Sequence, residues 1–78
     1  MRKMKSNVQH YSKLFYTQEA IETAIHDYKR IAAVKLSIEA DYYKCEFSKC
    51  IVDPMRVMYE FDNYLIELLN LQGANVET

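Results

Sequence analysis

The alternation between Ile31 and Cys50, IAAVKLSIEADYYKCEFSKC, constrains the fold of this chain more than any other feature. Apolar residues recur at every second position on the way in (Ala32, Val34, Leu36, Ile38) and again on the way out (Tyr43, Cys45, Phe47), the period of a strand with one buried face. The two runs predict a hairpin. With the turn centred on Ala40 and Asp41, Ile38 lies opposite Tyr43, Leu36 opposite Cys45 and Val34 opposite Phe47. The other face then pairs Glu39 with Tyr42, Ser37 with Lys44 and Lys35 with Glu46. A slip of one residue would set Leu36 against Lys44 and Val34 against Glu46, turning a whole apolar set towards water. The register is therefore well specified, although Ala-Asp is a poor match to the Asn-Gly and Asp-Gly turns that hairpins prefer.

The flanking segments have weaker signatures. From Val8 to Tyr16 the aromatic and aliphatic content predicts a strand, with the alternation open between a Tyr11/Phe15 set and a Leu14/Tyr16 set. Thr17 is a good N-cap, and Tyr16 and Ile21 stand at the two positions of a hydrophobic staple. A helix is expected from about Gln18 to Arg30, with Ile21, Ala24, Ile25 and Tyr28 forming one apolar stripe. Glu19 and Glu22 near its start and Lys29 and Arg30 near its end complement the helix dipole. After the hairpin, which is expected to end near Val52, Asp53-Pro54 is a helix-start signal. The second helix is expected to reach Leu71 or Gln72, with Gly73 as its C′ residue. Val57, Met58, Phe61, Tyr64, Leu65 and Leu68 form its core stripe. Met55, Tyr59 and Ile66 cluster on another side of the same helix, where they cannot reach the core that Phe61 faces.

The element order is strand, helix, strand, strand, helix. It predicts an α+β fold of βαββα type, a truncated ferredoxin-like domain. A right-handed crossover makes the first and second strands parallel neighbours or leaves between them a gap for the third strand; the filled gap is expected, giving a three-stranded antiparallel sheet of order 1-3-2 with two helices on one face. Residues 1–7 are expected as a flexible basic arm, 8–73 as the single domain and 74–78 as a flexible tail. A chain of 78 residues buries only about 60% of its unfolded surface, so help from a partner is expected. The missing last strand leaves the outer edge of the first strand open, along Val8, Gln9, His10, Tyr11, Ser12, Lys13, Leu14 and Phe15. Such edges are covered, charged or used for strand addition.

Composition narrows the chemistry. A net charge of -1 argues against a dedicated nucleic-acid binder. The wet sheet face, with Lys35, Tyr42 and Lys44, offers one aromatic beside Glu46, too little for a base-stacking platform. No apolar run approaches a membrane span, and MRKMKSNVQH has no hydrophobic segment after its basic residues, so a cytoplasmic location and no membrane contact are expected. Residues 1–50 hold nine Lys or Arg against six acids, and residues 51–78 hold one against five; screening makes this asymmetry a weak guide to contacts. One glycine excludes the glycine-rich phosphate loops. His10, His26, Cys45 and Cys50 have no zinc spacing. His26 reads as a solvated surface residue. Cys45 reads as a buried thiol, and Cys50, near the strand's end, as the more accessible of the two, lying too far along one strand to bridge to it. Glu19, Glu22, Asp27, Glu39, Glu46, Glu60 and Asp62 all fit solvated positions on helix or strand surfaces. No catalytic residue, metal site or cofactor is therefore expected, and the chain does not read as an enzyme.

A resemblance adds a context. Tyr16-Thr17-Gln18-Glu19-Ala20-Ile21 with Ala24 and Tyr28, the strand residues Val34 and Leu36, and Glu60-Phe61-Asp62-Asn63-Tyr64-Leu65 resemble the HxsD-type small proteins of bacterial His-Xaa-Ser peptide-maturation systems. The similarity covers roughly residues 12–70 and rests mainly on structural positions. It implies a non-enzymatic accessory working beside radical-SAM maturases that modify a peptide. Two functional readings follow. The first is a small protein-interaction module using the open edge and the Met55/Tyr59/Ile66 stripe to hold a protein or peptide partner. The alternative is a self-assembling homodimer whose sheet continues across edge strands.

Overall fold

The computed structural model describes residues 7–77, and for 72–77 the backbone course alone. Its elements are β1 (Asn7–Ser12), α1 (Gln18–Asp27), β2 (Ala33–Ile38), β3 (Tyr42–Ser48) and α2 (Pro54–Glu77). The sheet has the order β1-β3-β2, with both pairings antiparallel. The fold is α+β, and the truncated ferredoxin-like description holds. The expected basic arm, apart from Asn7, lies outside the described residues.

The hairpin has the predicted register. Val34 faces Phe47, Leu36 faces Cys45 and Ile38 faces Tyr43, with Lys35 against Glu46 and Ser37 against Lys44. The Glu39 amide donates to the Tyr42 carbonyl at 2.9 Å, which closes the turn over Ala40 and Asp41. Neither turn residue has a positive φ, so this hairpin does without the mirror-image turns that favour Asn-Gly. Burial of one face sets the register in their place.

Tyr11, Tyr43, Cys45 and Phe47 project from the sheet into the core. They meet Ala20, Ile21 and Ala24 of α1 and Val57, Met58, Phe61 and Leu65 of α2, with Ala32 completing the cluster. Phe61 is the centre of this core. It packs edge-on against Phe47 at 5.0 Å and Tyr28 at 5.3 Å, and tilted against Tyr11 at 6.3 Å between ring centroids. Such geometries match the positive ring edge of one aromatic to the negative face of the other. Thr17 caps α1 through its side-chain oxygen, which accepts from the Ala20 amide at 3.1 Å. Tyr16 and Ile21 both join the core, as the staple requires.

Four boundaries differ from expectation. β1 stops at Ser12, so Lys13, Leu14 and Phe15 are not part of the edge strand. The Phe15 and Tyr16 amides both donate to the Ser12 carbonyl, and the Ser12 hydroxyl accepts from the Leu14 amide. The chain thus curls into a turn, which a serine at this position promotes through its own side chain. α1 ends at Asp27 rather than Arg30. The Ile31 and Ala32 amides fold back onto the Tyr28 carbonyl, because the chain must reverse before β2 begins. β3 ends at Ser48 rather than Val52; Lys49 takes a left-handed φ of 52° and breaks the extended run. Cys50 therefore lies beyond the strand. α2 continues through Gly73 to Glu77, which replaces the expected stop and tail with helical backbone. A lone glycine costs only about 1 kcal/mol in a helix, too little to end one flanked by good helix formers such as Gln72 and Ala74. At about 1.5 Å per residue α2 is about 36 Å long, whereas β1 spans about 20 Å, so the helix outruns the sheet it covers.

Candidate interaction surface

The backbone of β1 presents an unpaired row of hydrogen-bonding groups. The Lys13 amide donates to the Asp41 carbonyl at 3.1 Å, and the β1–β3 register places Tyr11 opposite Tyr43 and Gln9 opposite Cys45. In an antiparallel ladder the bonded pairs alternate. Asn7, Gln9 and Tyr11 therefore bond to β3, while Val8 and His10 direct their amides and carbonyls outwards and Ser12 its amide, its carbonyl being taken by the Phe15 and Tyr16 amides. The Glu39–Tyr42 bond fixes the same alternation on the other side of the sheet. There Val34, Leu36 and Ile38 face outwards, so β2 is a second open edge.

Above β1, α2 carries the expected second stripe on its surface. Met55, Tyr59 and Ile66 are 67, 68 and 47% exposed, so none of them belongs to the core. Their place relative to β1 is set by a residue that sequence reasoning assigned to a solvated surface. Asp62, between Tyr59 and Ile66 on the helix, is half-buried and bonds to β1. Its Oδ2 accepts from Gln9 Nε2 at 2.9 Å and its Oδ1 from the Tyr11 hydroxyl at 2.6 Å. Because Asp62 reaches down to the outermost strand, the stripe beside it lies on the flank of α2 that borders the open edge. The opposite flank is taken by α1, where the Tyr64 hydroxyl donates to Asp27.

Burial, and then the hydrogen bond to the Asp62 carboxylate, push the Tyr11 hydroxyl well above its ordinary ionisation range. Burial also pushes the Cys45 thiol up to about 12, with a further contribution from Asp62. A thiol held in that state is not a nucleophile near neutral pH. Both cysteines are free, Cys45 buried and Cys50 half-buried.

Of the remaining exposed apolar residues, Leu71 lies far along α2 and the others at the ends of the sheet. Leu14 and Phe15, 87 and 74% exposed, occupy the turn after β1, and Ile51 and Val52 the turn before α2. On the wet face the His10 and Tyr42 rings meet edge to face at 4.8 Å. With Ser12 and Asp41 they line a shallow open groove. Lys44 pairs with Glu46 at 3.4 Å on the same face, so this surface is close to neutral. His26 is exposed, as expected. Among the described residues no cluster of His, Cys, Asp and Glu is arranged to hold a metal ion. Among them, too, no helix is long and apolar enough to cross a membrane.

No family model matches the sequence, and a search of curated proteins and of solved structures finds no match to the chain.

Proposed function

We propose that this chain works by docking another polypeptide along the surface shared by the outer edge of β1 and the Met55/Tyr59/Ile66 flank of α2. The observation that carries the reading is the adjacency of the two features. Asp62 holds the flank directly over Gln9 and Tyr11, so an added strand would find backbone partners at Val8, His10 and the Ser12 amide and an apolar roof above them. The place is the one that the last strand of a complete ferredoxin-like domain would fill. The resemblance to HxsD-type proteins sets this docking in peptide maturation, as a non-enzymatic accessory to a radical-SAM maturase in the cytoplasm. A radical-SAM gene and a His-Xaa-Ser repeat peptide encoded beside this chain would support that context.

The test is Tyr59→Asp together with His10→Pro, read by light scattering and by titration with a synthetic His-Xaa-Ser repeat peptide. Both positions are exposed, and the His10 amide points away from β3, so the thermal transition should stay within a few degrees. Association with the peptide, or of the chain with itself, should weaken by tenfold or more. Unchanged association in both variants would overturn the reading.

A further inference from the structure

We infer that the polypeptide docked on this surface is a second copy of the chain, related by a two-fold axis that runs beside His10 and Asp62 and so between each of them and its copy. The inference rests on the docking reading above and names its partner. Its basis is a coincidence of two symmetric patterns.

The first pattern lies in the helix. Met55, Tyr59, Asp62, Ile66 and Leu69 follow one another at spacings of four, three, four and three residues, the heptad of a coiled-coil seam. At 100° per residue they fall within an arc of about 80°. The seam is also balanced about Asp62. Tyr59 precedes it by three residues and Ile66 follows by four, while Met55 and Leu69 stand seven residues to either side. Two such helices laid antiparallel place Tyr59 against Ile66 and Met55 against Leu69, apolar on apolar to either side of the central Asp62 pair.

The second pattern lies in the strand. The outward-facing residues Val8, His10 and Ser12 are balanced about His10. Antiparallel pairing of two β1 edges therefore sets His10 against its own copy and Val8 against Ser12, and yields a continuous six-stranded sheet. The two centres coincide in the folded chain, because Asp62 is bonded by Gln9 and Tyr11, the residues on either side of His10. One axis satisfies both patterns, which an isologous interface demands and an unrelated partner has no reason to meet.

Charge and area agree. The shoulder of the seam carries Arg56, Asn63 and Asn70, so antiparallel pairing sets Arg56 near Asn70 and Asn63 near its copy, and the one like-charged pair is Asp62 at the axis. The Asp62 carboxylates are drawn aside towards their own β1 by Gln9 and Tyr11. From their exposures, Met55, Tyr59 and Ile66 offer about 400 Å² per copy, about half of the roughly 800 Å² that a stable interface buries on each partner, and the shoulder and strand edge add to it.

Cysteine cross-linking in a Cys50→Ser background reads the register directly. Paired His10 residues would hold their Cα atoms about 5.5 Å apart, within disulfide reach, whereas Val8 would lie about 14 Å from its copy. His10→Cys should therefore form a linked dimer at least tenfold faster than Val8→Cys. Light scattering across a dilution series should give twice the chain mass, and Ile66→Glu should shift it to the monomer. A monomer at every concentration, or equal cross-linking at positions 8 and 10, would overturn the inference. The docking reading is judged separately: if a monomeric chain still binds the repeat peptide and Tyr59→Asp abolishes that binding, docking stands and the second copy does not.

Discussion

The Tyr11 hydroxyl on β1 donates a 2.6 Å hydrogen bond to the Asp62 carboxylate on α2, joining residues 51 positions apart in the chain. The tyrosine ring is buried against Tyr16 and Phe61, so the bond ties the outermost strand to the helix through the core. Tyr11→Phe keeps the ring and removes the donor, leaving Asp62 with Gln9 alone. A hydrogen bond to a charged group contributes about 1.5–3 kcal/mol. The midpoint of urea unfolding should fall by a corresponding amount without a change of slope. An unchanged midpoint would mean that water replaces the hydroxyl at no cost.

The same residue makes the fold sensitive to base. Tyr11 in the folded chain ionises above its ordinary value of 10.0, and Cys45 near 12 rather than 9.0. Above these ordinary values the unfolded chain gives up protons that the folded chain keeps, so its free energy drops relative to the native state. The stabilisation is complete below about pH 9 and is lost as pH rises towards 12 and beyond. Unfolding free energies measured from pH 8 to 12 should decline across that range. The decline should be shallower in Tyr11→Phe and in Cys45→Val. A flat profile would contradict the burial of both groups.

The two thiols should separate by accessibility. A disulfide reagent at pH 8 should modify Cys50 in the native protein. Cys45 should react at least about a hundredfold more slowly, since both exposure and thiolate are lacking. Its modification should follow the unfolding rate as denaturant is added. Two thiols reacting together in native buffer would place Cys45 outside the core.

Phe61 joins three rings from β1, β3 and the turn after α1, and it is fully buried. Phe61→Ala removes all three contacts at once and should cost about 3–5 kcal/mol, comparable with the whole stability of many domains of this size. Phe61→Leu, which keeps most of the volume, should leave a cooperative transition at a lower temperature. Circular dichroism melts of the two variants distinguish a central packing role from a peripheral one.

The hairpin register was legible in the sequence because period-two alternation leaves no second arrangement with one dry face, and the strand order because the hairpin's second strand fits the gap that a crossover leaves. The Met55/Tyr59/Ile66 stripe was legible for a similar reason, as helical spacing alone separates it from the Phe61 face. Ends of elements were harder to place. Leu14 and Phe15 look like a continued strand, and only the turn built on Ser12 takes them out of it. Lys49 breaks β3 through a left-handed backbone that a lysine does not advertise. Asp62 was hidden for another reason. Its partners Gln9 and Tyr11 lie at the far end of the chain, and a single long-range polar contact leaves no periodic trace. The relation between strand edge and helix flank became visible only once that contact was located.

Two bare rims on one small sheet also bear on how copies accumulate. Joining β1 to β1 closes on itself after a single step, whereas joining β1 to β2 would leave a free rim on each new arrival and grow into a fibre. Lys35, exposed midway along β2, sets a charge beside that second rim, of the kind that discourages open-ended growth. Loss of that lysine, more than any change in the core, is where filaments would begin.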